Sequence, residues 1–216
     1  MPARNVIKQY LESGYYHVYN RGVAKNLIFR DDQDYSVFLS YLKEYLSPSV
    51  PPSPQEIKEA GRLYLRKNYL NEIELIVYCL MPIHFHLLLK QRQPRSMESF
   101  MRSLTTRYSV YFNRKYNRVG HLFQGIYRAI IVTKEEYFLW LSRYIHLNPL
   151  DILGPGKSLS SYPYSTYAIY LRQRKVEWVL PERILSMVKD YRRFVEGART
   201  MAPADFEQFT LESVKG

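Results

Sequence analysis

The 216-residue chain is long enough for one compact domain with an appended tail. Its 31 Lys and Arg against 20 Asp and Glu give a formal charge of +11, a field that favours a polyanionic partner, nucleic acid first. The single cysteine, Cys79, excludes a disulfide framework or a thiolate metal cluster and fits a reducing compartment.

No apolar run approaches the roughly 20 residues of a membrane span, and the first fourteen residues hold no signal-peptide stretch. The expectation is a cytoplasmic protein with no membrane partner. Twenty-one tyrosines against two tryptophans offer flat faces for unpaired bases and hydroxyls for phosphates, although most serve equally well as core fillers.

Residues 15–22 alternate and are rich in β-formers, which predicts a first strand ending at the turn residues Asn20, Arg21 and Gly22. Asp31 and Asp32 then offer an N-cap for a helix whose apolar face is Tyr35, Phe38, Leu39, Leu42, Tyr45 and Leu46. The proline-rich stretch 47–54 cannot continue it, and residues 55–69 read as a charged helical piece, so 47–70 is expected to be a surface insertion. Its Lys58, Arg62, Arg66 and Lys67 suit a solvated face or a nucleic-acid path.

The apolar run 73–81 predicts a central strand, and Met81-Pro82-Ile83 connects it to an alternating segment, 84–90. There Phe85, Leu87 and Leu89 point one way and His84, His86, Leu88 and Lys90 the other. Residues 99–116 place Met101, Leu104, Tyr108, Tyr111 and Phe112 at helical spacing. A glycine-bracketed loop, 120–125, precedes a β-like segment, 127–132. Thr133-Lys134-Glu135-Glu136 matches a capping box that starts a helix stopped by Pro149. Beyond it, 158–170 reads as irregular, and 181–196 as a helical tail.

The order β, α, β, β, α, β, α predicts an α+β fold: a ferredoxin-like split βαβ sandwich with an antiparallel sheet, an added helix and a C-terminal tail. The expected units are a core domain over 1–155, containing the 47–70 insertion, and an extension over 156–216.

Side chains at i and i+2 of a strand leave the same face, so His84 and His86 can point at one cation. Tyr144 and Asn148, at i and i+4 of a helix, can approach a common point as nucleophile and third ligand. Phosphodiester cleavage by a side-chain oxygen needs that combination, a nucleophile plus a cation on the non-bridging oxygens. A phenol ordinarily titrates near ~10, so Tyr144 needs activation, for which His17 and His146 are candidates. Spacing alone is better satisfied by two hydrogen-bonded or solvated imidazoles, a helix-end asparagine and a core tyrosine.

Four blocks carry more. Residues 16–22 (YHVYNRG), 78–88 (YCLMPIHFHLL), 120–125 (GHLFQG) and 143–149 (RYIHLNP) resemble the IS200/IS605-like HUH single-tyrosine transposases, closest to the REP-associated tyrosine transposases. The resemblance implies a single-stranded DNA endonuclease and strand transferase that uses a divalent metal, Mg or Mn. It makes His84 and His86 the metal-binding pair, Asn148 the polar ligand, and Tyr144 the nucleophile that becomes joined to a 5′ phosphate while a 3′ hydroxyl is released. It also implies single-stranded or hairpin DNA as partner, and either a homodimer or a monomer. Two features depart from the family pattern: Ile83 stands where a polar residue is common, and the 47–70 insertion is long.

Arg21, Arg102, Arg107, Arg114, Lys115, Arg118 and Arg128 are the candidates for phosphate contacts, with a solvated surface as the other account of them. Two further readings compete with the transposase. One is a catalytically inactive DNA-binding protein or repressor of the same fold; the other is a metal-dependent hydrolase that uses water and leaves no protein adduct.

Overall fold

The computed structural model describes residues 9–49 and 67–197; the helical piece expected over 55–69 falls mostly outside them, as does everything after 197. Strand β1 (Tyr15–Arg21) leads to helix α1 (Asp32–Leu46), strands β2 (Ile73–Met81) and β3 (His84–Gln91), helix α2 (Ser96–Lys115), strand β4 (Arg128–Ile131) and helix α3 (Glu135–Leu147). The sheet order is β2-β3-β1-β4, and every pairing is antiparallel. With β3 threaded between β1 and β2, this is the ferredoxin-like βαββαβ arrangement, α+β in class.

Both sheet faces are covered. On one, Tyr16, Val18, Leu75, Leu80, Phe85, Leu87 and Leu89 pack against Phe38 and Leu42 of α1 and Phe100, Leu104, Tyr108 and Phe112 of α2. On the other, Val77, Cys79, Met81 and Leu88 pack against Phe138, Leu141 and Ile145 of α3 and against Tyr162, Tyr167, Tyr170, Ile184 and Tyr191 from the C-terminal segment. A register shift between Leu75 and Val77 puts Ile76 and Val77 side by side in the second core, as a bulge does by placing two residues opposite one.

The histidine face of β3 is therefore the floor of a second core roofed by α3. A strand read in isolation shows which residues share a face, not what later covers it.

The α1 N-terminus is tied down by carboxylates. Asp31 caps it, accepting from the Asp34 backbone N–H at 3.0 Å. Asp34, itself fully buried, accepts from the Arg30 N–H, the Tyr111 and Tyr116 hydroxyls and the Lys115 ammonium. The first turn of α1 is thereby locked to the last turn of α2. Helix α2 begins at Ser96, three residues before the expected start, because the Gln91 side chain takes the Met97 N–H at 3.2 Å where a local Ser or Asp cap would normally act. The expected capping box at Thr133 is not formed: the N-cap of α3 is Lys134, with no side-chain cap.

The C-terminal segment protects the β2 edge. The Leu80 N–H donates to the Tyr164 carbonyl, the Thr166 N–H to that of Tyr78, and the Leu180 N–H to that of Leu75, so the outer edge of the sheet is not left open for another strand. The stretch expected to be irregular contains a 3-10 turn, Leu159–Ser161, and helix α4 (Tyr167–Tyr170). The expected tail helix is two helices, α5 (Glu182–Met187) and α6 (Tyr191–Glu196), because Val188 is extended and Asp190 caps a new start. Among the described residues no helix is long and apolar enough to cross a membrane.

Phe38 is fully buried and rests on Phe29, Phe85 and Tyr108. Phe38→Ala is expected to cost about 3–5 kcal/mol in denaturant unfolding; a cost under about 1 kcal/mol would show that this face repacks freely.

Candidate metal and nucleophile site

Three histidines from two adjacent strands share the face under α3. In the β1–β3 register Tyr19 lies opposite His86 and Arg21 opposite His84, so His17, Tyr19 and Arg21 stand on the same side as the two β3 imidazoles. His17 and His86 are fully buried, while His84, Tyr144 and Asn148 are half-buried at the rim. The His84 and His86 rings are 4.9 Å apart between centroids and nearly perpendicular.

Helix α3 brings the other two groups. The Tyr144 ring stands edge-on to His86 with centroids 5.5 Å apart, and 6.3 Å from His17. One turn later Asn148, the C-cap of α3, donates from Nδ2 to the Tyr144 carbonyl at 2.8 Å. That bond holds the amide nitrogen toward the helix and turns its oxygen toward the strands, where Oδ1 lies 3.2 Å from His84 Nε2. The spacing of Tyr144 and Asn148 thus has a second purpose: the Tyr144 carbonyl, one turn back, orients the Asn148 side chain.

Burial shapes the titration of both β3 imidazoles. It pushes His84 below its ordinary range, only partly offset by the Asn148 hydrogen bond. His86 is pushed well below, by burial first and then by the charges His84 and His17 would carry. Both are therefore neutral near pH 7, the protonation state in which imidazole ligates a cation.

The donor set fits a hard divalent ion. Two neighbouring ligands of an octahedral site with bonds of about 2.1 Å stand about 3 Å apart, close to the 3.2 Å between Asn148 Oδ1 and His84 Nε2. His86 Nε2 is buried with no hydrogen-bond partner among the described residues. A buried polar atom left unpaired costs stability unless something absent here satisfies it. Among the described residues no group of three or more His, Cys, Asp or Glu is placed to hold a metal, so the set relies on the asparagine oxygen.

His146 is not in this cluster. Two residues on from Tyr144 it projects to the opposite side of α3, where its ring nitrogens meet the Tyr191 hydroxyl and Thr166 Oγ1, each at 2.7 Å. As a helper for Tyr144 it is excluded by that geometry, whereas His17 lies beside the tyrosine.

The basic candidates divide between the two sides of the sheet. Arg21 stands opposite His84 and donates to the Gln124 side chain. Arg128 stands opposite Tyr19 on the same face, its Nη1 buried with no hydrogen-bond partner among the described residues. The α2 residues lie across the sheet from the histidines. There Arg102 pairs with Glu98, Arg107 with Glu44, and Lys115 with Asp31 and Asp34. Arg114 is exposed, and Arg118 donates to Asn113.

Residues 55–148 match the model of the IS200-like transposase family. The matched segment is 94 of the 216 residues and contains His84, His86, Tyr144 and Asn148; His17 and the C-terminal cover of β2 lie outside it. Among solved structures, the REP-associated tyrosine transposase bound to a REP hairpin is 15% identical, covering 81% of this chain and 88% of that one, with a TM-score of 0.49. A candidate transposase from Deinococcus radiodurans R1 is also 15% identical, covering 67% and 95%, with a TM-score of 0.37. No significant match is found among curated proteins.

His146 is fully buried and held down to about 3 by desolvation. The unfolded chain therefore binds a proton there between about pH 6.5 and about pH 3 that the folded chain refuses, and stability falls as the medium is acidified through that window. His146→Gln is expected to flatten this acid limb by up to about 1.4 kcal/mol per pH unit, read from urea midpoints across pH. An unchanged slope would mean the ring is protonated in the fold.

Proposed function

We propose that the chain is a metal-dependent single-stranded DNA endonuclease and strand transferase. The observation that carries this reading is the approach of the Tyr144 ring to His86 beside the Asn148–His84 contact, on a chain of charge +11. The transposase-family match over the same segment supports it. Single-stranded or hairpin DNA is the proposed partner.

His84, His86 and Asn148 would hold a divalent ion, Mg or Mn, which when bound supplies positive charge beside the non-bridging oxygens of the scissile phosphate. The Tyr144 oxygen attacks phosphorus, the Oη–P bond forms as the P–O3′ bond breaks, and the phenol proton is lost as the departing 3′ oxygen gains one. The product is a 5′-phosphotyrosine and a free 3′ hydroxyl. Attack by another 3′ hydroxyl reverses the step and rejoins strands with no external energy source, because one phosphodiester is exchanged for another.

The residues around the ion and the nucleophile have distinct parts. Asn148, fixed by the Tyr144 carbonyl, couples the position of the third ligand to the helix that carries the nucleophile. Arg21 and Arg128, on the histidine face, are the strongest phosphate-binding candidates. Arg102, Arg107 and Lys115 already have acidic partners, so their contribution to phosphate binding is reduced.

With Mn and a pool of hairpin-flanked single strands, the wild type is expected to form a denaturation-resistant protein–DNA adduct, and Tyr144→Phe to abolish it. His84→Ala is expected to lower cleavage by about 100-fold or more while retaining salt-sensitive binding. An undiminished adduct in Tyr144→Phe would move the nucleophile elsewhere, and loss of DNA binding together with cleavage would make His84 structural.

A further inference from the structure

We infer that His17 is a positioning residue: it receives the Nδ1 proton of His86 and so holds the Nε2 of that ring as a bare lone pair facing the site. This rests on the proposed metal site and deepens it, since nothing in the family-matched segment includes His17.

His17 Nε2 and His86 Nδ1 are 2.8 Å apart, the rings are inclined by only 21°, and both residues are fully buried. A single proton lies between the two nitrogens when both rings are neutral, so only two arrangements exist. If His17 donates, the remaining proton of His86 sits on Nε2, which has no hydrogen-bond partner among the described residues. In that form no cation could bind there. If His86 donates, the proton of His17 sits on its Nδ1 and Nε2 of His86 is a lone pair, the form that ligates a metal.

The strand register explains why the second arrangement can be held. His17 sits two residues before Tyr19, and Tyr19 is the cross-strand partner of His86, so His17 is the diagonal neighbour of His86 on the same face, within reach of a ring. Tyr19 packs against both rings, at 4.9 Å from His17 and 6.0 Å from His86 between centroids. A ligand histidine whose second nitrogen is hydrogen-bonded keeps its tautomer and its orientation, and loss of that partner typically costs 10–100-fold in metal affinity.

The first test needs neither metal nor DNA. In histidine-¹⁵N-labelled metal-free protein, long-range ¹⁵N–¹H spectra are expected to show His86 protonated at Nδ1 and bare at Nε2. A proton found on Nε2 would overturn the inference outright, whether or not the chain cleaves DNA.

The second test is Mn(II) binding, followed by the electron paramagnetic resonance of the free ion. His17→Leu is expected to weaken binding by about 10–100-fold and to redistribute the His86 proton between its two nitrogens. His17→Gln, whose amide oxygen can still accept from Nδ1, is expected to recover a substantial part of both. Unchanged Mn affinity and an unchanged His86 tautomer in His17→Leu would reduce His17 to a core residue. The proposed chemistry has its own separate failure, an adduct that survives Tyr144→Phe.

Discussion

The structure turns on one constraint: the sheet is buried on both faces, so a polar side chain on either inner surface must find its partner within the protein. His17 and His86 have no access to solvent and use one another. His84, at the rim, uses the Asn148 oxygen. His86 Nε2 is buried with no hydrogen-bond partner among the described residues. In a close-packed interior an unpaired group of that kind costs more than the hydrogen bond it forgoes, and retaining it makes sense where a ligand completes it.

The same constraint organises the periphery. Helix α3 is both the roof of the second core, through Phe138, Leu141 and Ile145, and the carrier of Tyr144 and Asn148. Its outward side is anchored by His146, whose partners Tyr191 and Thr166 belong to the C-terminal segment. Thr166 in turn donates to the β2 backbone at Tyr78. A chain of contacts therefore runs from the edge of the sheet, through the C-terminal segment, to the helix that bears the proposed nucleophile. The extension is part of the packing that sets where Tyr144 stands.

What the amino-acid order made readable follows from where each signal resides. Periodicity is local, so the strands, the helices and their order were accessible, and with them the ferredoxin-like sheet. The apolar set of Phe85, Leu87 and Leu89 opposite His84 and His86 was equally plain. The start of α2 was misread because its cap comes from Gln91, a strand residue, and the split between α5 and α6 because a short apolar pattern continues across an extended Val188. The bulge that puts Ile76 and Val77 on one face has no mark of its own in an uninterrupted apolar run.

The candidate site was readable in the same proportion. The i, i+2 and i, i+4 spacings predicted that each pair could share a direction, and the pairs do stand together. The separate roles of His17 and His146 were not accessible, since both are single histidines in apolar surroundings and spacing treats them alike. The difference is which face each occupies: His17 lies diagonal to a ligand candidate across one strand boundary, whereas His146 is two positions, a little over half a helical turn, away from Tyr144. Only cross-strand register and the placement of a helix over a sheet separate a residue that orients a ligand from one that holds a scaffold. For that reason the tautomer of His86, a property of two residues 69 positions apart, is the most direct physical link between this fold and its chemistry.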